Sequence, residues 1–166
     1  MRAERIRGNK LKVMPIGCRT PDRGEGLSLQ EVLAAIKAVL SCLVYIHSKG
    51  FVHRDLRWAN LIRSFKYYSD GSRLESCNFL VIDFEFAAND GDEMSVVDYI
   101  HRGVVPHGAN YRASHDLQLV GKLVETWADN NCDITLDQSA QDFVGLVKRV
   151  EDPVSAEAAL QHPWLN

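Results

Sequence analysis

Three side chains with oxygen donors follow two apolar stretches of the chain and could meet at one point. Asp55 and Asn60 stand five apart in the segment FVHRDLRWANL, and Asp83 comes directly after the apolar run LVI. Oxygens of this kind at strand ends can converge on Mg²⁺, which prefers carboxylate, water and phosphate ligands. A carboxylate that is not needed as a ligand can act as a base. The set therefore predicts Mg²⁺-dependent phosphoryl transfer, in which the protein orients groups and neutralises charge.

A plainer interpretation is that Asp55 and Asn60 are ordinary turn residues, because Asp and Asn side chains bond to nearby backbone groups. The presence of Asp83 in VIDFEF weighs against it, since a turn does not require a second polar site at the end of the next strand. The histidines between residues 101 and 115 match no zinc-binding spacing, so no zinc site is predicted.

The elements that must position these side chains begin with a strand and a long helix. Leu11–Ile16 predicts a short strand, and residues 17–26 form a polar loop rich in Gly. Ser28 and Glu31 predict a capping box, in which each side chain satisfies the other's backbone N–H at a helix start. Apolar residues then follow helical spacing towards Gly50, and Gly is a common residue just after a helix end.

Two strands and three helices are predicted in the rest of the chain. The segments NLIRSF and NFLVI indicate a hairpin, joined by a polar connector with a turn at Asp70–Gly71. Residues 113–128 predict a buried helix, and shorter helices are predicted near 138–150 and 155–161, the last capped by Ser155. The expected fold class is α+β and mostly α.

Composition limits the class of protein and its partners. The chain has 166 residues, enough for one domain, and its net charge of −3 argues against a general polyanion binder such as a nucleic-acid protein. The four cysteines form no disulfide framework. No signal peptide is recognised, and no apolar run approaches the roughly 18 residues of a membrane span. An intracellular protein, cytoplasmic or nuclear, is expected.

Five motifs resemble those of protein kinases and occur in the kinase order between about residues 11 and 165. HRDLRWAN resembles the catalytic loop H-R-D-L-x-x-x-N, and IDFEFA is similar to the D-F-G segment. LVYIHSKGFVHRDL resembles the helix that leads into that loop, HDLQLVGKLV the central helix of the C-terminal lobe, and SAEAALQHPWL the closing helix. The resemblance implies a kinase-like C-terminal lobe, a short β-hairpin that carries the catalytic and metal-binding loops, and ATP and Mg²⁺ as cofactors.

The resemblance also implies roles for the residues that could do chemistry. Asp55 would be the catalytic base that orients the acceptor hydroxyl, and Arg57 would contact the transferred phosphate. Asn60 and Asp83 would hold Mg²⁺, and Asp83 would thereby help to bind the nucleotide.

Other residues would support the site, again by resemblance. His53 and Arg54 would brace the catalytic loop, and Arg54 could pair with an anion of the activation segment. Asp116 would hydrogen-bond the backbone of that loop from the central helix. The strand around Met14 would enter the hinge that meets the adenine ring. The activation segment offers three candidate phosphorylation sites, which are Ser95, Tyr99 and Tyr111.

One departure from the family concerns the N-terminal lobe. The sequence has no Gly-rich loop and no V-A-I-K lysine, so it resembles the C-terminal lobe alone. Residues 1–10 are interpreted as a basic arm and 11–166 as the kinase-like domain without its N-terminal lobe. Each lost charge-stabilising donor typically costs on the order of 10²–10³ in rate. Activity is therefore expected of a longer protein, or of this lobe with a separate N-terminal lobe, rather than of the chain by itself.

Two alternatives to a protein kinase remain open. Glu85 replaces the Gly of D-F-G, and this variant is similar to the I-D-x-E segment of aminoglycoside phosphotransferases and choline kinases, which implies a small-molecule acceptor. The HPWL end favours a protein hydroxyl of Ser, Thr or Tyr. The second alternative is a non-catalytic pseudokinase lobe that binds a partner protein, because a lone lobe exposes surface that favours association.

Overall fold

The chain folds as an α+β structure that is mostly helical, which confirms the predicted fold class. The computed structural model describes residues 2–6, 10–14, 17–67, 73–94, 104–105 and 108–166, and at 2–6, 10–14, 17, 65–67 and 73–77 only the backbone is described. The strands are β1 Arg2–Ile6, β2 Lys10–Met14, β3 Gly17–Arg19, β4 Phe51–Val52, β5 Leu61–Tyr67, β6 Arg73–Val81 and β7 Ala88–Asn89. The α-helices are α1 Leu29–Ser48, α2 Ala113–Asp129, α3 Gln138–Val147 and α4 Ala156–Leu160, and 3₁₀ turns cover Trp58–Asn60 and Pro163–Leu165.

Helix α1 begins at the predicted capping box. The Ser28 hydroxyl accepts from the Glu31 backbone N–H, and the Glu31 carboxylate accepts from the Ser28 backbone N–H at 2.9 Å. The helix ends at Ser48, followed by Gly50 at φ +76°, a backbone conformation that glycine adopts without strain. Both predicted ends of the helix are thereby confirmed.

The same helix corrects the expectation about apolar runs. Among the described residues, α1 is the helix long and apolar enough, by length and composition alone, to cross a membrane. Its inward face is buried in the protein core and packs against β6, α2 and α4. The apolar residues of α1 therefore have a partner within the fold, as those of a core helix do.

A three-stranded antiparallel sheet with the order β3-β5-β6 packs on α1. The predicted hairpin is confirmed by β5 and β6, whose register pairs Leu61 with Val81 and Ser64 with Asn78. β6 is longer than predicted, because its pairing continues into the polar stretch predicted as a connector. Strand pairing uses backbone groups, so polar residues can take part in it.

The N-terminal residues form a second antiparallel pair of strands, β1 and β2. The strand predicted at Leu11–Ile16 corresponds to β2, while Pro15 and Ile16 lie outside the described residues. β1 lies within the stretch interpreted as a basic arm, and its register pairs Arg2 with Met14. The division into an arm and a domain at residue 10 stays a prediction.

Helices α2, α3 and α4 complete the main core. α2 extends one residue beyond the predicted range, and the Trp127 indole N–H on its inner face donates to the Leu27 carbonyl at 3.0 Å. The Ser155 hydroxyl caps α4, as predicted. α3 ends earlier than predicted, because Val147 is its last buried residue and Val150 is 77% exposed. A further turn would bury little more apolar surface.

Candidate functional site

The candidate site is built on the loop between β4 and β5. β4 pairs with β7, so that Val52 faces Ala88, and this short ladder holds the start of the loop beside the segment that follows Asp83. Val52 is buried together with three apolar residues, Met94, Val105 and Tyr111. The loop thus leaves a buried cluster and ends at Asn60, where β5 begins.

Asp116, near the start of α2, anchors this loop from below. Its side chain is fully buried, and its two oxygens accept hydrogen bonds from the backbone N–H groups of His53 (2.8 Å) and Arg54 (3.0 Å). The Tyr111 hydroxyl donates to it at 2.9 Å, and His47 Nε2 lies 3.0 Å from it. A buried carboxylate is tolerated only when donors satisfy it in this way. The loop conformation and the charge of Asp116 therefore depend on each other.

Tyr111, one of the three candidate phosphorylation sites, is not accessible to a modifying enzyme in this structure. It is fully buried, and burial together with the Asp116 carboxylate raises the pKa of its phenol well above the usual value. The phenol therefore keeps its proton and donates a hydrogen bond to Asp116. The other two candidate phosphorylation sites, Ser95 and Tyr99, lie outside the described residues.

His53 connects the loop to the end of β6. The Asp55 backbone N–H can only donate, so His53 Nδ1 accepts it at 3.2 Å, and Nε2 carries the hydrogen directed at the Ile82 carbonyl, also 3.2 Å away. Burial lowers the pKa of this imidazole below its usual value, although three nearby carboxylates act in the opposite direction. His53 is therefore neutral near pH 7. Its ring also contacts that of Phe84, with 4.7 Å between the centroids.

Arg54 contacts the segment after β7. It has a left-handed backbone conformation, with φ +70°, and its guanidinium donates to the carbonyls of Asp92 at 3.1 Å and Glu93 at 3.4 Å. The same group lies over the Tyr111 ring, 5.6 Å from its centroid. Arg54 thus holds residues 92–93 through backbone oxygens.

Asp55, Asn60 and Arg57 form the polar centre of the loop. The Asn60 amide nitrogen donates to the Asp55 carboxylate at 2.6 Å and to the Asp55 carbonyl at 2.8 Å. Arg57 Nε lies 3.3 Å from the same carboxylate oxygen, Oδ2. Asp55 is 1% exposed, and its other oxygen, Oδ1, is buried with no hydrogen-bond partner among the described residues. A buried carboxylate oxygen without a partner can accept a hydrogen bond from a ligand.

Asp83 lies at the opposite edge of the site, where β6 ends. The Asn60 carbonyl accepts from the Ile82 N–H at 2.9 Å, so the backbones of Asn60 and Asp83 are close. Asp83 is exposed, with φ +65°, and its carboxylate makes no hydrogen bond to another described residue. Within the described part of the chain no three His, Cys, Asp or Glu side chains form a metal-binding cluster. The predicted Mg²⁺ ligands are fewer, namely the amide of Asn60 and the carboxylate of Asp83.

Met14 is not brought to the loop by any described contact. Its backbone pairs with Arg2 in the β1–β2 ladder, and its side chain lies outside the described residues. Its contact with an adenine ring stays a prediction, as do the roles of the other site residues.

Two residues that shape the loop, Thr20 and Gly24, were not found from the sequence. The Thr20 hydroxyl donates to the carbonyls of Trp58 and Leu61, the second at 2.6 Å, and so joins the strand β3 end to the 3₁₀ turn. The Trp58 indole N–H donates to the Leu123 carbonyl at 3.0 Å, and Gly24 lies against its ring. Gly24 in a polar loop was the one available signal. Thr20 gave none, because its partners are about 40 residues away.

A pocket of about 200 Å³ adjoins the base of the loop. We call it the Asp55 pocket. Its apolar wall consists of Leu56, Trp58, Leu119 and Leu123, and its polar residues are Asp22, Asp55, Arg57, Lys122 and Thr126.

Comparison with known proteins finds a relative of part of the chain but no family. No family model matches the chain. Crinkler effector protein 8 of Phytophthora infestans is 30% identical to it over 104 residues, which are 60% of this chain. The matched residues cover 16% of that relative's length, about one sixth of it. The chain is thus similar to a small part of a much longer effector protein.

Proposed function

We propose that this chain is a protein kinase-like phosphotransferase lobe, which moves the γ-phosphate of ATP to a hydroxyl of a protein. Asp55 is the base, Arg57 contacts the transferred phosphate, and Asn60 and Asp83 hold Mg²⁺. The observation that carries the proposal is the Asp55 carboxylate, which is buried, fixed through one oxygen by Asn60 and without a partner among the described residues at the other.

The residues present fit a Mg²⁺ ion. The side-chain nitrogen of Asn60 donates both of its hydrogen bonds to Asp55. The side-chain oxygen of Asn60 is therefore the atom left to serve as a ligand. Asp83 adds exposed carboxylate oxygens beside the same backbone. Oxygen ligands of this kind suit Mg²⁺, which retains several waters and binds substrate phosphates. When bound, the ion neutralises charge on the phosphates.

The role of Asp55 is to orient and deprotonate the acceptor. Its free oxygen accepts the hydrogen of the acceptor hydroxyl, while the hydroxyl oxygen forms a bond to the γ-phosphorus and the bond from that phosphorus to ADP breaks. The proton ends on Asp55, and Arg57 places a positive charge beside it. Asp116 supports this arrangement by fixing the backbone that carries Asp55. General-base catalysis of this kind is typically worth about 10²–10⁴ in rate.

The first experiment is a calorimetric titration of the chain with Mg·ATP. We expect saturable binding that requires Mg²⁺ and that is abolished by Asp83→Asn but not by Asp129→Asn, a matched change at an exposed position of α2. A phosphotransfer assay with an added kinase N-terminal lobe follows, in which Asp55→Asn removes turnover and leaves nucleotide binding in place.

Absence of binding at millimolar nucleotide, from a sample folded by circular dichroism and tested both alone and with the added N-terminal lobe, would contradict the proposal. The alternative of a non-catalytic lobe that binds a partner would then be the hypothesis to test next. Phosphorylation of small alcohols but not of proteins would instead favour the small-molecule alternative suggested by Glu85.

The relative's name adds a biological setting to the proposal. Since the chain is similar to part of Crinkler effector protein 8, we propose that it acts within an effector protein. A longer protein could supply the second lobe that an ATP site requires. The need for ATP and Mg²⁺ agrees with action inside a cell, in the cytoplasm or nucleus.

A further inference from the structure

The Asp55 pocket carries charges of both signs. Asp22 comes from the loop before α1 and Lys122 from α2, and both side chains are exposed. Neither forms an ion pair with another residue of the described chain. Asp55 and Arg57, in contrast, are paired with each other in the same pocket. Asp22 and Lys122 are therefore the two charges of the pocket that have no ion-pair partner among the described residues.

We propose that the Asp55 pocket binds the peptide segment around the acceptor hydroxyl, and that Asp22 and Lys122 select its flanking residues by charge. Asp22 favours a basic residue on one side of the hydroxyl, and Lys122 favours an acidic residue at another position. This inference rests on the proposed function, because Asp55 must be the base for the pocket beside it to receive the acceptor.

Size and charge favour a peptide over a small cationic alcohol. The pocket volume of about 200 Å³ is below the roughly 300–1,000 Å³ of typical small-molecule sites. A polycationic ligand would also meet the like charges of Arg57 and Lys122. The apolar wall, which includes Leu56 and Trp58, suits the aliphatic part of a peptide side chain, while charged groups at the rim fix its register.

The test is binding of the chain to an array of nine-residue peptides without nucleotide. Each peptide has a central Ser, Thr or Tyr, and Lys, Glu or Ala at every flanking position in turn. We expect the wild-type chain to prefer Lys at one position and Glu at another by about two- to fivefold, as exposed charge pairs allow. Asp22→Lys should reverse the first preference alone, and Lys122→Glu the second alone.

Matched controls are Glu151→Lys and Lys37→Glu, which make the same charge changes at exposed positions outside the pocket. They should leave both preferences unchanged. A wild-type chain that binds all flanking charges equally would overturn the inference, and so would preferences that Asp22→Lys and Lys122→Glu do not move. Choline or an aminoglycoside that displaces the peptides would overturn the choice of acceptor.

The result is separable from that of the proposed function. Nucleotide binding is read by the Mg·ATP titration, whereas the array reads the pocket without nucleotide. Normal Mg·ATP binding with no charge preference would remove only this inference. A charge preference that follows the two substitutions, with no Mg·ATP binding, would keep the pocket as a peptide site and remove the proposed phosphotransfer.

Discussion

The two halves of the candidate site differ in how firmly the chain holds them. Asp55 and Asn60 are 1% and 3% exposed, bonded to each other, and carried by a loop that a buried carboxylate anchors. Asp83 and the two residues after it are exposed. Among the described residues, the Asp83 side chain has no hydrogen-bond partner, although His53 contacts the Phe84 ring.

The difference indicates which half of the site is held in position by this chain alone. In the proposed function Asp55 is a base whose position is already fixed by buried hydrogen bonds, so it would need no reorganisation when a substrate arrives. The half at Asp83 is exposed, and the Asp83 side chain is not fixed by a hydrogen bond to another described residue. We therefore expect substitutions in the first half to change the stability of the fold, and substitutions in the second to change ligand binding.

The largest effect is expected from Asp116→Ala. The substitution leaves the backbone N–H groups of His53 and Arg54, and the Tyr111 hydroxyl, buried without their acceptor. We expect a loss of about 3–5 kcal/mol in the free energy of unfolding, measured by urea denaturation. Asp129→Ala, an exposed change in the same helix, should cost no more than about 0.5 kcal/mol. Equal urea midpoints for the two variants would show that the anchor does not hold the loop.

A smaller effect is expected from Gly24→Ala, with Gly26→Ala as its matched control. Both glycines have φ near +70°, where an alanine costs about 1–2 kcal/mol. At Gly24 the added Cβ would also lie 2.9 Å from a ring carbon of Trp58, whereas at Gly26 nothing lies within 4 Å. We expect Gly24→Ala to lower the free energy of unfolding by about 1–3 kcal/mol more than Gly26→Ala. Equal losses would mean that Trp58 can shift without cost.

A third test uses the pH dependence of stability. Burial lowers the pKa of His53 in the folded state, so below the ordinary value near 6.5 the unfolded chain binds protons more readily than the folded one. The stabilisation is complete above pH 6.5 and is lost as pH falls towards the folded-state pKa. His53→Gln should therefore reduce the decrease in unfolding free energy between pH 7.5 and 5.5, measured in urea.

His115 needs its own control in that experiment. Burial also lowers its pKa, so it contributes to the same acid sensitivity. The double variant with His53→Gln and His115→Gln should have a flatter pH dependence than either single variant. A wild-type slope in His53→Gln would argue that His53 does not remain neutral in the folded loop.

The smallest change in stability is expected at the exposed half. Asp83→Asn should alter the free energy of unfolding by no more than about 0.5 kcal/mol, because the side chain is exposed and Asn tolerates φ +65° as well as Asp does. The same protein should lose Mg·ATP binding. A large loss in the free energy of unfolding for Asp83→Asn would show that the two halves of the site do not differ in this way.

The sequence predicted the parts of this molecule that local patterns control. The capping box at Ser28 and Glu31, the cap at Ser155 and the strands on either side of the hairpin are all decided by residues a few positions apart. Their energetics are local, so a single sequence carries the signal. Strand ends were less exact, because backbone pairing continues through polar residues.

Contacts between distant residues could not be predicted in this way. His47 meets Asp116 across 69 positions, and Thr20 meets Leu61 across 41. Tyr111 is a candidate phosphorylation site by sequence, although its hydroxyl is buried against Asp116. Which polar groups meet in a core depends on how helices and loops pack, and hydrophobic periodicity does not contain that information.

The β4–β7 ladder has a consequence for how fast the exposed half can rearrange. Residues 83–87 are tethered at both ends, by the Ile82 to Asn60 bond and by the pairing of Ala88 with Val52. Loop motions typically take nanoseconds to microseconds. Kinases turn over only about 1–100 times per second, so the loop would rearrange many times within one turnover. Under the proposed function, the binding-competent arrangement of Asp83 would therefore be an equilibrium fraction at every turnover. The apparent affinity for nucleotide would scale with that fraction, and it could be raised by any mutation that shifts the loop equilibrium.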